Sequence, residues 1–148
     1  MVSNYIASMK TDHVVQLISG IRGKAYKFIA EELRANQIHG IVPSHGGILD
    51  ALFKEEKLPM KSLAEKIDRD KSTVTSLVQK LIKMGYVKKI KEGSDMRVNY
   101  IVLTRKGRDL EPVFEDISKK LIERFYKGLN REEKNTVVSV LERIQKNW

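Results

Sequence analysis

The stretch DKSTVTSLVQKLIKMGYVKKI, from Asp70 to Ile90, decides the fold. Within it Val74, Leu77, Val78 and Leu81 recur at helical spacing, while Ser72, Thr73, Ser76, Gln79, Lys80 and Lys83 fall largely on the remaining surface. Asp70 is placed to cap that helix and Gly85 to stop it, so the spacing predicts a helix over residues 71–84. From Lys71 to Lys91 there are six basic residues and no acid. A polyanion partner suits that charge, although a solvated basic face would carry it equally well.

Downstream, Tyr86–Ile90 and Arg97–Leu103 are β-rich runs around the polar turn Lys91–Met96, which predicts a hairpin. Upstream, Leu63, Ala64 and Ile67 mark a short helix from about Met60, followed by the turn Asp68-Arg69-Asp70. Short helix, turn, polar-faced helix and basic hairpin, in that order, make a winged helix-turn-helix, and four independent cues agree on it.

Such a helix must offer short hydrogen-bonding groups and flexible cations to a major groove. Ser72, Thr73, Thr75 and Ser76 can bond phosphates or bases, Gln79 can pair with adenine, and Lys71, Lys80 and Lys83 can reach phosphates. Thr73 and Thr75 could instead be half-buried capping residues. On the hairpin, Lys88, Lys89 and Lys91 line one arm and Arg97 follows the tip, where an arginine suits a narrow minor groove. Asp95 is placed to hold that guanidinium by a bidentate pair; the alternative is an exposed ion pair of little worth.

The flanks read as helices. Val14, Leu17, Ile18, Ile21, Ala25, Phe28, Ile29 and Leu33 predict a first helix capped at Thr11 or Asp12, with a bend near Gly20 and Gly23. Ser44, behind Pro43, is read as the cap of a second helix bearing Ile48, Leu49, Leu52 and Phe53. After the hairpin, Thr104 is read as capping one long helix that Pro112 bends, and Gly128 as ending it. Asn130 with Glu133 predicts a capping box for a last helix, whose stripe is Val137, Leu141, Ile144 and Trp148. These stripes pack either within one chain or across a dimer. The expected architecture is mainly α with a small β-wing: a winged helix-turn-helix DNA-binding domain at 41–108 and a helical region from 1–40 and 109–148, which is a dimerisation region if the stripes pack across two chains.

The whole-chain numbers fit. The 148 residues carry a net charge of +9, and the excess is local: residues 60–108 hold 13 basic and 5 acidic residues, against 7 and 6 before them and 8 and 8 after. There is no cysteine, which excludes disulfides, thiolate metal sites and a thiol nucleophile. The start Met1-Val2-Ser3-Asn4-Tyr5-Ile6-Ala7-Ser8 lacks the pattern of a signal peptide and no run is long enough for a membrane span, so a cytoplasmic protein is expected. No nucleophile–base set, phosphate loop or nucleotide fingerprint is present, so no enzyme is expected. His13, His39 and His45 match no zinc spacing and are read as surface histidines, with no metal site or cofactor.

The chain resembles the MarR family, dimeric winged helix-turn-helix transcriptional regulators of bacteria and archaea. The resemblance runs from about Leu58 to Leu110. It is carried by Leu63-Ala64, Ser72-Thr73-Val74-Thr75, Leu77-Val78, Leu81, Lys83-Met84-Gly85-Tyr86-Val87, Asp95-x-Arg97 and Leu103-Thr104-x-x-Gly107. It implies that Arg97 is the wing arginine with Asp95 its acidic partner, and that 71–84 is the recognition helix. It also implies a homodimer made by the first and last two helices, meeting successive major grooves of a pseudo-palindromic duplex about 34 Å apart. The expected role is a repressor released by a small anionic or aromatic effector. The chain departs from the family around the second helix, where a Thr, then a Gln, then larger residues are usual and this chain reads Val42-Pro43-Ser44-His45-Gly46-Gly47-Ile48. Gly46 and Gly47 could leave backbone N–H groups open to an anion, with His45 and Arg22 as partners; close helix packing is the alternative. A protein-interaction or RNA-binding winged helix is the rival reading. The acid-free run beside the wing arginine speaks against it, as does the scarcity of stacking aromatics, with only Tyr86 and Tyr100 in the region.

Overall fold

The computed structural model describes residues 11–148, so the Met1–Ser8 segment lies outside the described residues. The elements are α1 (Val14–Ala35), α2 (Pro43–Lys54), β1 (Leu58–Pro59), α3 (Met60–Ile67), α4 (Lys71–Lys83), β2 (Val87–Ile90), β3 (Tyr100–Leu103), α5 (Arg105–Arg108), α6 (Glu111–Phe125) and α7 (Arg131–Gln145). The strands form one antiparallel sheet in the order β1-β3-β2. Leu58 pairs with Ile101 on one side of β3, and Lys89 pairs with Ile101 on the other.

The winged helix-turn-helix is present as the spacing predicts. α3 ends at Asp68, whose φ of 51° is left-handed, a conformation that aspartate tolerates better than most residues. Asp70 then caps α4, accepting the Thr73 N–H. Gly85, at φ 81°, turns the chain out of α4 into β2. Val74, Val78 and Leu81 of α4 are fully buried against Ile48, Leu49 and Leu52 of α2, Leu63 of α3 and Ile101 of β3. Burial of this many aliphatic side chains supplies the main driving force of the domain.

Several expectations need correction. α1 runs unbroken through Gly20 and Gly23, and its N-cap is His13, without a side-chain bond, while residues 11 and 12 ahead of it are themselves helical. α2 begins at Pro43, with Val42 and not Ser44 at the cap, since a proline fits the first helical position, where no N–H is needed. The long helix after the hairpin is two helices. Thr104 does cap, accepting the Gly107 N–H, but α5 is a single turn, and Pro112 lies in the first turn of α6. Proline there starts a helix rather than bending one. The second hairpin strand is shorter than Arg97–Leu103, leaving Arg97 in the turn, and β1 is a strand that sequence patterning did not anticipate. The Asn130–Glu133 capping box is formed as expected.

The outer helices are incompletely covered. α7 buries no residue and α1 buries only Leu33. Leu17, Ile18 and Ile21 of α1, Ile122 and Phe125 of α6, and Leu141 and Ile144 of α7 are all exposed. α6 is tied to α1 by Lys120 Nζ, 3.1 Å from Glu32. None of the described helices is long and apolar enough to cross a membrane.

Candidate nucleic-acid interface and effector cavity

The burial of Val74, Val78 and Leu81 fixes which side of α4 faces out. At 100° per residue, Ser72, Ser76, Gln79 and Lys83 form the stripe opposite the core, and all four are exposed. Lys71 and Lys80 are also exposed, whereas Thr73 and Thr75 are half-buried on the flanks.

The hydroxyls on this helix are not equivalent. Asp70 accepts from Ser72 Oγ at 2.7 Å and Thr73 Oγ1 at 3.0 Å as well as from the Thr73 N–H, and these bonds hold its carboxyl below the usual carboxylate range. Thr75 Oγ1 donates to the Lys71 carbonyl at 2.8 Å. A hydroxyl has one proton, so while these bonds last Ser72, Thr73 and Thr75 have none for a phosphate. Ser76 and Gln79 make no side-chain hydrogen bond among the described residues, which leaves their donors and acceptors free. Sequence spacing could not separate these cases, because the bonds depend on how the cap closes.

The wing brings Lys88 and Lys89 of β2, Lys91, Asp95 and Arg97 to one exposed hairpin. Asp95 Oδ1 accepts both the Arg97 backbone N–H at 3.0 Å and Nε at 3.1 Å. This is one oxygen taking two donors from one residue rather than the bidentate fork anticipated. The Arg97 bonds, that from the side chain first, hold the Asp95 carboxyl below its ordinary range. The Arg97 side chain is 92% exposed. Lys57, ahead of β1, contacts Glu92 on the wing and lies 4.9 Å over the Tyr100 ring. It anchors the base of the wing, a role visible only once β1 is seen to pair with β3.

The four residues suggested for an effector do not converge. Arg22 is exposed on α1, its guanidinium 4.9 Å over the Tyr26 ring. Gly46 and Gly47 line a cavity of about 600 Å³ between α1, α2 and α6, which neither Arg22 nor His45 reaches. They occupy the fourth and fifth positions of α2, beyond the N–H groups that a helix start leaves free. A Cβ on Gly47 would come within 3.2 Å of Ile67, so this glycine also permits close packing of α2 on α3.

His45 is not a surface histidine: it is buried, 1% exposed. Its backbone N–H donates to the Val42 carbonyl while its Nδ1 accepts the Val42 N–H at 3.0 Å. It fills the place that glutamate or glutamine takes in a capping box. Nδ1 as acceptor assigns the proton to Nε2, which is buried and unpartnered. Burial first, and the charge of Lys80 on α4 second, push its pKa below 6.5. A depressed histidine stabilises the fold fully above the unfolded value. As pH falls below 6.5 the unfolded chain takes up the proton first, and stability is lost until the folded group titrates. In urea unfolding between about pH 5 and 7.5, His45→Gln, which keeps the cap without titrating, is expected to flatten the acid decline of the native chain. Equal slopes for the two proteins would refute this role for His45.

A family model described as the MarR family matches residues 43–98. The transcriptional regulator SarZ of Staphylococcus haemolyticus is 34% identical over 100 residues, which is 68% of this chain and 67% of that protein. Among solved structures, a mutant of Escherichia coli MarR in complex with operator DNA superposes with a TM-score of 0.79 at 19% identity, covering 88% of this chain and 92% of its own. The regulator BpsR of Bordetella bronchiseptica, whose DNA binding is regulated by 6-hydroxynicotinic acid, superposes with a TM-score of 0.78 at 17% identity, covering 89% and 92%.

Proposed function

This chain belongs to the MarR family of transcriptional regulators, and from that premise we propose that it binds double-stranded DNA as a ligand-responsive homodimeric repressor in the cytoplasm. The observation that carries the reading is the outward stripe of Ser72, Ser76, Gln79 and Lys83, set beside a cationic wing that ends in an exposed arginine. α4 enters the major groove, where Gln79 and Ser76 read base edges and Lys71, Lys80 and Lys83 hold phosphates. Arg97 reaches the adjacent minor groove, and Lys88, Lys89 and Lys91 follow the backbone.

Residues 41–108 serve as the DNA-binding domain, and the flanking helices as the dimer interface. The exposed apolar residues of α1, α6 and α7 support this, since a soluble monomer rarely leaves so many on neighbouring helices. Repression is relieved by a population shift: an effector that binds better to dimers with misplaced recognition helices lowers operator affinity by that difference. Control of BpsR by a small molecule, on the same fold, supports an effector here.

Sedimentation equilibrium tests the assembly. The native chain is expected at twice its 17.0 kDa mass, and the double variant Leu141→Glu, Ile144→Glu at the monomer mass with its helix content kept. A native monomer that still binds a palindromic duplex would contradict the reading.

A further inference from the structure

We propose that the cavity between α1, α2 and α6 selects hydrophobic molecules bearing a cationic group and disfavours carboxylates. The proposal rests on the ligand-responsive reading above and names the class of ligand. The cavity, about 600 Å³, is within the range of small-molecule sites, and its walls are apolar: Ile29, Leu33, Phe53, Phe114, Ile117 and Leu121. Phe53 and Phe114 meet edge to face with ring centroids 5.7 Å apart, and aromatic faces attract cations.

The charged groups of the lining are three carboxylates, Asp50, Glu111 and Glu115, against the single cation Lys54. Lys54 is already paired with Asp50 at 2.9 Å, and Glu111 lies 3.5 Å from Arg108. Glu115, exposed and without an ion-pair partner among the described residues, is the uncompensated charge of the lining. An anion entering there meets an uncompensated negative charge with no free cation in the lining. An ammonium group meets that carboxylate in a lining that also contains two aromatic rings. Gly46 keeps the wall open: a Cβ there would sit 3.9 Å from Phe114, and a longer side chain would project into the space. A ligand held here touches α2 of the winged domain and α6 of the flanking helices together, so it can shift one against the other.

Three probes that share a ring test the charge selection by calorimetry on the full chain: 2-naphthylmethylamine, 2-naphthalenemethanol and 2-naphthoate at neutral pH. The ammonium is expected to bind about tenfold more tightly than the carboxylate, with the alcohol between them. Glu115→Gln, an exposed substitution that leaves the fold intact, is expected to shrink that preference, and Gly46→Leu to weaken all three probes. Equal or tighter binding of the carboxylate, a preference unchanged in Glu115→Gln, or no binding of any probe at millimolar concentration would overturn the proposal. Duplex binding by the same preparation separates the two levels. DNA binding without probe binding removes the cavity assignment alone, and loss of both removes the regulatory reading with it.

Discussion

Gly107→Ala is expected to lower the stability of the fold by about 3 kcal/mol, the upper end for an overpacked site, and to weaken DNA binding with it. A Cβ on Gly107 would lie 2.0 Å from the Tyr86 carbonyl oxygen and 3.0 Å from Leu103 Cδ2. The carbonyl cannot retreat cheaply, because it accepts the Thr104 N–H at 3.0 Å. Thr104 in turn caps α5 through the Gly107 N–H and donates its own hydroxyl proton to the Gly85 carbonyl. One methyl group therefore strikes the knot that joins the end of α4, the sheet and α5. This is the physical content of the Leu103-Thr104-x-x-Gly107 motif: the threonine makes the turn and the glycine lets it close. The expected loss is a large part of the roughly 5–15 kcal/mol that holds a typical domain together. Gly20→Ala is the control, since a Cβ there meets nothing within 4 Å, and urea unfolding should show no loss. A Gly107→Ala protein within about 1 kcal/mol of the native chain would contradict this assignment.

Arg97→Ala is expected to separate binding from stability. The side chain is almost fully exposed and its ion pair with Asp95 is a surface one, so its removal should leave the unfolding curve unchanged. The Nε and backbone N–H are committed to Asp95, which aims the guanidinium and leaves its terminal nitrogens for a ligand. Losing such a contact costs about 1–3 kcal/mol, so duplex affinity should fall roughly 10- to 100-fold. Asp95→Asn keeps an acceptor for the backbone N–H but loses the charge, and is expected to fall between the native chain and Arg97→Ala. Unchanged affinity in Arg97→Ala would remove the wing from the interface.

The parts of the fold that follow local rules were legible in the sequence. Asp70 and Asn130 cap the helices that their spacing announces, and the alternation of Val74, Val78 and Leu81 with Ser72, Ser76 and Gln79 fixes the outward face of α4. The parts that depend on distant neighbours were not. β1 is two residues, one of them proline, and exists only because Leu58 and Pro59 meet Ile101 and Tyr100. Pro112 reads as a bend because helical periodicity continues across it; the break comes from α5 closing on Thr104 first. The spacing of His45 reads as a surface histidine because nothing in its neighbours reveals that its buried ring takes the Val42 N–H. The charge of the cavity was equally hidden, since Asp50 on α2 and Glu115 on α6 are 65 positions apart in the numbering. Glycines near a helix start suggest an anion or else close packing, whereas the carboxylates of the same lining argue for the opposite sign of ligand.

Selection of binding sites from a pool of randomised duplexes, by the purified full chain at near-physiological salt, tests the central reading most directly. The expected result is enrichment of a pseudo-palindrome whose half-sites are about one helical turn, roughly 34 Å, apart, bound by two chains and weakened by Arg97→Ala. Recovery of the pool without enrichment, with equal affinity for every duplex and a dependence on salt alone, would contradict it.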